Sequence, residues 1–458
     1  MTTLSPAAAG RVFLLLSATR WFPVGLVVAV TTLLPIERGL SITQTLSLAS
    51  ITGLVVFALE LPTGGTADAF GRRPVLIAAA SMQVLAATLF ATAQSFWAFA
   101  LASAAMGTFR ALDSGPMEAW YVDTVHATTP GADVDRTLSR QGGVLGVSIA
   151  LGALASGGLV WWHPVTAWSA LTLPYVVYAV LAVVHLVMVC VLLVEDRRDA
   201  VAVDGAGDDV PSAARPAGPP AGSSDAPARP ATVRRIRVRL ALDSARRTPG
   251  VIADGLRLAG ANRVLLGLLL VELFWSVAMV AYESLMPVRL AELLGSEERS
   301  GAVMGVVASV GWGVFALGSV LAGLAARRVG VVRAAMATRV LNGLGVVWMG
   351  LVAGPAALVV AYLVTYALHG AGGPTYQTLL HREATSRNRS TVLSMASMTG
   401  FAAFAVASPA LGWVSDQAST AVAMVVAGGF SVLGVLCFIP ALRHERALTR
   451  SGRVVASV

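Results

Sequence analysis

The sequence predicts an all-α integral membrane protein: twelve transmembrane helices in two pseudo-symmetric six-helix bundles. Three observations predict it. Apolar runs of about 20 residues recur along nearly the whole chain, and each is long enough to span a bilayer. Of 458 residues, 56% are hydrophobic and only 13% are charged, with a mean hydropathy of +0.73; an ordinary soluble domain is about 25% charged. Finally, the chain repeats itself. Gly64-x-x-x-Asp68-x-x-Gly71 recurs as Gly323-x-x-x-Arg327-x-x-Gly330, Gly115-Pro116 recurs as Gly373-Pro374, and Thr32–Pro35 resembles Ser284–Pro287. The three matches keep one order and a nearly constant offset of about 255 residues, as a duplicated unit would. Lipid offers no hydrogen-bond partner, so a spanning backbone must be helix or closed barrel. The runs are continuous rather than alternating, which selects helix.

The spans are expected at 12–35, 45–67, 74–94, 97–124, 139–162, 171–194, 262–286, 301–326, 332–352, 356–380, 391–413 and 419–441. The first contains Arg20 and is longer than a signal-peptide core, so it reads as a retained span. The second and third meet at a short charged turn, Gly64 to Arg73, where Gly71 supplies conformational freedom. The fourth carries Arg110, Asp113, Glu118 and Asp123, and the fifth is glycine-rich from Gly142 to Gly158. Residues 199–232 are Ala, Pro, Gly, Ser and Asp with almost no large apolar side chain, the composition of a disordered linker. The segment then turns basic. Val233, Ile236 and Leu240 share one helical face, and Val251, Ile252, Leu256 and Leu258 supply a second. They suit an interfacial helix on anionic lipid; a solvated charge run that fixes topology is the alternative. The expected domains are an N-terminal bundle (1–198), a cytoplasmic linker (199–260), a C-terminal bundle (261–442) and a cytoplasmic tail (443–458).

Arginines set the orientation. One side of the bilayer collects Arg11, Arg72, Arg73, Arg136, Arg140, Arg327, Arg328, Arg382 and the tail arginines, while the other has only Arg38, Arg289 and Arg299. Both termini are therefore expected in the cytoplasm of a multi-pass plasma-membrane protein. Trp97, Trp161, Trp162, Trp168 and Trp413 fall near the outward ends of spans, as an interfacial belt would.

Composition also narrows the function. The net charge of +8 sits in short loops between spans, so topology explains it better than nucleic-acid binding. Cys190 and Cys437 lie inside apolar runs, which disfavours disulfide, zinc or redox roles. There is no lysine and no Gly-x-x-x-x-Gly-Lys-Ser/Thr, so ATP-driven transport is disfavoured. No catalytic triad or metal cluster stands out. The expectation is a monomeric non-enzyme without cofactors, whose partners are a small-molecule substrate, protons and membrane lipids.

The pattern Gly64-x-x-x-Asp68-x-x-Gly71-Arg72-Arg73 resembles the signature loop between helices 2 and 3 of the major facilitator superfamily. Two six-helix halves joined by a long loop match that family's architecture. The resemblance implies a secondary transporter working by alternating access, with a cytoplasmic gate at Glu60, Gly64, Asp68, Gly71, Arg72 and Arg73. It also implies that the acid of this loop meets the start of helix 11, here Arg387 to Ser394. The second copy has Arg327 in place of the acid, so the gate role belongs to the first copy. Within the family the chain looks most like drug:proton antiporters that export lipophilic molecules, although span 5 lacks their Gly-Pro pair. Proton-coupled uptake of a nutrient or metabolite is the alternative. A non-transporting membrane sensor is a third reading, which the charges within spans argue against.

A charge inside a span costs several kcal/mol and needs a reason. Arg20, Glu60, Arg110, Asp113, Glu118 and Glu272 qualify; Asp123 and Glu283 lie near expected span ends and can reach water. Arg110 and Asp113 are three apart and share a helix face, so they are expected to pair, either as a fixed internal ion pair or as one that opens for a proton. Arg20 and Glu272 hold equivalent positions in the two halves, which suggests a salt bridge across the cavity. Asp113 and Glu272 are the main candidates for proton coupling, with Glu118 next and Arg110 and Arg20 as their cations. The aromatic residues Trp21, Phe22, Trp120, Tyr121, Phe274, Trp275, Tyr362, Tyr366 and Tyr376 are expected to line a substrate cavity, with ordinary packing the alternative for each. His369 and His381 suit hydrogen-bonded structural roles. Deleting Ala200 to Pro230 should leave transport intact in a vesicle flux assay; complete loss would contradict the linker assignment.

Overall fold

A computed structural model describes residues 4–194, 250, 255, 257–385 and 388–450; for residues 60–62, 64–69, 390 and 449 it describes the backbone. The expected linker up to residue 249 lies outside the described residues, as do Val251, Ile252, Leu256 and Arg387. Residues 257–261 are helical.

The first half comprises α1 (Pro6–Val28), a short α2 (Leu33–Glu37), α3 (Ile42–Phe70), α4 (Arg72–Thr92), α5 (Phe96–Asp113), α6 (Pro116–Thr128), α7 (Asp135–Trp162) and α8 (Leu173–Leu192). The second comprises α9 (Arg263–Leu294), α10 (Glu297–Val329), α11 (Val331–Leu351), α12 (Pro355–Glu383), α13 (Arg389–Gln417) and α14 (Thr420–Leu433). A 3₁₀ turn at Gly434–Phe438 then leads into α15 (Ile439–Arg450). Among the described residues, eleven helices are long and apolar enough to cross a membrane.

Three boundaries differ from expectation. The segment Gly64 to Arg73 is not a loop: α3 continues to Phe70, and Gly71 alone makes the turn at φ +92°. Nothing before Gly71 stops a helix strongly enough, and only glycine takes that angle without strain. Gly330 does the same between α10 and α11 at φ +89°, so the sequence repeat is also a structural one. Next, the fourth span is two helices. Gly115 turns left-handed at φ +92° and Pro116 opens α6, where its missing N–H costs nothing. The matching Gly373-Pro374 lies inside the unbroken α12. Lastly, the seventh span runs on to Leu294, with a π-helical turn at Ala281–Leu285.

The halves meet along two seams, α3 with α13 and α7 with α10. Along the first, a Cβ on Gly412 would meet Thr43, the Ser50 hydroxyl donates to the Ala405 carbonyl at 2.5 Å, and a Cβ on Gly53 would lie 3.6 Å from the Phe401 carbonyl oxygen. The two helices thus run antiparallel, which puts both chain ends at one end of the bundle (the terminal end). The Thr43–Asp416 contact marks the opposite, far end. Along the second seam, Gly157 and Gly305 touch backbone to backbone, and a Cβ on Gly305 would lie 2.4 Å from the Gly157 Cα. A Cβ on Gly146 would lie 4.0 Å from the Trp312 ring, and a Cβ on Gly142 or Gly323 would find no neighbour within 4 Å among the described residues. The seam is closed at the far end and parts toward the terminal end. Trp97, Trp161, Trp162, Trp168 and Trp413 are all exposed around the far end.

Within the first half, α1 and α7 also pack through glycine. A Cβ on Gly152 would lie 2.2 Å from the Phe22 carbonyl oxygen. Gly152→Leu should therefore abolish insertion of folded protein, read as loss of the monodisperse peak after detergent extraction. Wild-type yield and elution would show that this contact is not required.

Candidate functional site

The Asp113 carboxylate closes α5. An acid in a last turn faces the negative end of its own helix dipole, and this one is buried. Arg20 of α1 answers both costs: its guanidinium pairs with Asp113, the side chains being 11% and 3% exposed. The guanidinium also stands over Trp21 at 4.5 Å and Phe109 at 5.9 Å from the ring centroids. The pairing expected between Arg110 and Asp113 is not the one formed. Asp113 turns inward to Arg20 on α1, while Arg110 is exposed.

Nor does Arg20 bridge to Glu272. Glu272 of α9 is 5% exposed and faces Arg339 of α11 and the hydroxyl of Tyr376 of α12, all in its own half. Among the described residues no basic nitrogen lies within ion-pair distance of its carboxylate. The Arg339 guanidinium instead stacks over Trp275 at 4.4 Å and lies 5.4 Å from the Tyr376 ring. Gly400 leaves room there, since its Cβ would sit 3.4 Å from Glu272 Oε2. Each half therefore sets a buried cation near its own buried acid, with Arg20 on α1 and Glu272 on the equivalent α9 carrying opposite signs. Arg339 carries the same signal as Arg20, an arginine well inside a span, and belongs with the candidates.

Glu283 does not sit at a span end. It lies in the π-helical turn of α9, half-buried, close to Tyr366 and in the field of Arg110 from the other half. A π turn shifts the register of side chains around a helix and is frequent at functional sites. Glu118, in the first turn of α6, accepts from Gln141 of α7 at 2.5 Å, and its other oxygen is buried with no hydrogen-bond partner among the described residues. Asp123 is exposed and lies 3.4 Å from Arg72, as a group that reaches water would.

The aromatic residues divide. Trp275, Tyr362, Tyr366 and Tyr376 surround the second-half charges, joined by Tyr282, Trp312, Phe315 and His369. His369 shares a 3.0 Å hydrogen bond with the Tyr282 hydroxyl. Trp21 stays beside Arg20. The others lie elsewhere. Trp120 donates to the Val194 carbonyl at 3.1 Å, and Tyr121 stacks on Phe13 at 4.7 Å in the packed core at the terminal end. Phe274 stacks on Phe430 at 4.8 Å, and Phe22 lies on the α1–α7 seam. In the gate motif, Glu60, Gly64 and Asp68 belong to the helical backbone of α3, and their side chains lie outside the described ones. Gly71 is the turn, Arg72 faces Asp123 on α6, and Arg73 donates to the Cys190 carbonyl at 2.7 Å.

Two six-helix halves that meet along glycine seams, with ionised groups held at depth, define a multi-pass protein of the membrane-transporter class. The chain belongs to the Major Facilitator Superfamily, whose family model matches residues 12–315 and 296–456. Among curated proteins no relative matches. Solved structures do. The nucleoside transporter NupG superposes with a TM-score of 0.69 at 11% identity, over 95% of this chain and 99% of that one. A peptide transporter POT in complex with sulfate gives 0.66 at 15% identity, over 95% and 94%. A POT family transporter in complex with 5-aminolevulinic acid gives 0.62 at 14%, over 93% and 94%. At these identities the likeness is one of fold.

Removing one member of a buried ion pair costs about 3–5 kcal/mol, because the other charge is stranded. Asp113→Asn should lower the melting temperature in detergent, and adding Arg20→Met should restore most of it. A double variant that melts below Asp113→Asn would contradict the pairing.

Proposed function

We propose that this chain is a proton-coupled secondary transporter that works by alternating access and exports lipophilic small organic molecules. The buried Arg20–Asp113 pair carries the proposal. A proton delivered to Asp113 cancels its charge and frees Arg20, so the energy of the site depends on whether a proton is bound. Glu272, buried beside Arg339 and Tyr376, gives the second half an equivalent group. The cluster of stacked rings around Glu283, with Trp312, Phe315, Tyr362 and Tyr366, is of a kind that suits a lipophilic substrate. The excess of arginine at the terminal end supports placing that end, and both termini, in the cytoplasm of the plasma membrane. The seam that parts toward that end supports a resting state open to the cytoplasm. The motif from Glu60 to Arg73 then serves as the cytoplasmic gate, and the chain acts as a monomer.

Proteoliposomes under an imposed pH gradient test this. With an acidic lumen, antiport accumulates a lipophilic substrate from a diverse panel, whereas symport accumulates substrate only with an acidic exterior. Asp113→Asn and Glu272→Gln should each abolish gradient-driven accumulation while the protein still inserts. Full coupled transport by both variants would overturn the assignment, and binding without flux of any compound would favour a sensor.

A further inference from the structure

The start of α3 is completed by the other half of the molecule. Ser41 and Gln44 form a reciprocal cap: the Gln44 amide donates to the Ser41 hydroxyl at 3.2 Å, and the Ser41 amide donates to Gln44 Oε1 at 3.0 Å. The Thr45 amide closes the first helical bond to the Ser41 carbonyl at 2.9 Å. That leaves the amides of Ile42 and Thr43 without a partner in their own helix. Asp416, in the last turn of α13, takes both. Its Oδ1 accepts from the Ile42 amide at 3.1 Å, and its Oδ2 accepts from the Thr43 amide at 2.9 Å and the Thr43 hydroxyl at 2.6 Å.

Two further features show that this contact is built. Gly412 lies one turn before Asp416, and a Cβ there would fall 2.8 Å from the Thr43 Cα, so the bare backbone lets α13 come close enough. Asp416 is also unfavourably placed within its own helix, because a carboxylate in a last turn faces the negative end of the dipole. Its gain comes from α3, whose positive end it meets. The contact joins the two halves at the far end and continues the seam through Ser50 and Gly53.

We infer that Asp416 is a gating residue: it caps α3 in trans while the far end is closed, and opening that end requires its release. The inference rests on the alternating-access proposal for its place in a cycle, but not for the contact. Because Asp416 is exposed, water replaces the lost partners when the halves part, so the latch biases the equilibrium without locking it. A carboxylate fits this role because it holds two amides and a hydroxyl at once and regains its hydration on release.

Thiol labelling tests the inference without requiring transport. In a background with Cys190→Ala and Cys437→Ala, one reporter is Ser50→Cys, on the closed far seam, and the other is Gly142→Cys, on the open face of α7. Maleimide labelling rates are measured in detergent on protein that elutes as folded. Asp416→Ala should raise the rate at position 50 about fivefold, the scale of one exposed charge-assisted hydrogen bond, and lower it at position 142. Thr43→Val, which removes only the hydroxyl contact, should shift both rates in the same directions by less, and it carries the test if Asp416→Ala does not fold. Unchanged rates at both positions overturn the inference, and so does an equal rise at both, which would mean general loosening. A labelling shift in protein that transports nothing would sink the transport proposal and leave the latch standing.

Discussion

The bilayer cannot solvate a charge, and much of this structure follows from that constraint. An ionised group at depth costs several kcal/mol unless a partner or water meets it. Arg20 and Asp113 meet each other, and that contact ties α1 to the end of α5. Across α9, α11 and α12, Glu272 lies in the field of Arg339, whose guanidinium stacks on Trp275 and Tyr376. Such groups are poor sources of net stability, since apolar residues of similar size would hold a bundle as well. The proposed proton coupling would give them a use, because it needs an interior that changes charge.

Glycine makes the complementary contribution. Where α7 meets α10 and where α1 meets α7, the backbones touch and no side chain intervenes. Lipid provides little hydrophobic drive between helices, so close van der Waals contact between small residues is what holds them. The α7–α10 seam is tight at Gly157 and Gly305 and parts along the bundle. Halves joined over part of their length by smooth contacts can rock; halves joined over all of it by interdigitated side chains could not. The trans cap from Asp416 adds a directional contact to a seam that packing alone would leave permissive.

Much of the fold was legible in the sequence because its signals are physical necessities. Continuous apolar runs had to be helices, and the repeated Gly71 and Gly330 could make the tight turns because glycine takes a positive φ freely. The partners of the charges were not legible. Spacing placed Arg110 and Asp113 on one helix face, yet in the helix that ends at Asp113 that carboxylate turns to α1. Equivalence of Arg20 and Glu272 under the repeat located both at the right depth and said nothing of which helix each would face. The π turn at Ala281–Leu285 leaves no composition signal, so Glu283 read as a span end. Gly115-Pro116 breaks a helix while Gly373-Pro374 does not, because the break depends on the angle the glycine adopts in context. Aromatic residues on the right helices were split by the faces those helices present, which a list of spans does not contain.

The central claim is that the two halves move about a site whose energy depends on bound protons. It is tested most directly by the distance between the halves at the terminal end. Spin labels at the exposed positions Arg140 on α7 and Arg327 on α10 report it in lipid by pulsed electron resonance. Two distances are expected, their populations exchanging as pH is varied, with Asp113→Asn holding one population at every pH. A single distance that ignores both pH and that substitution would contradict the claim.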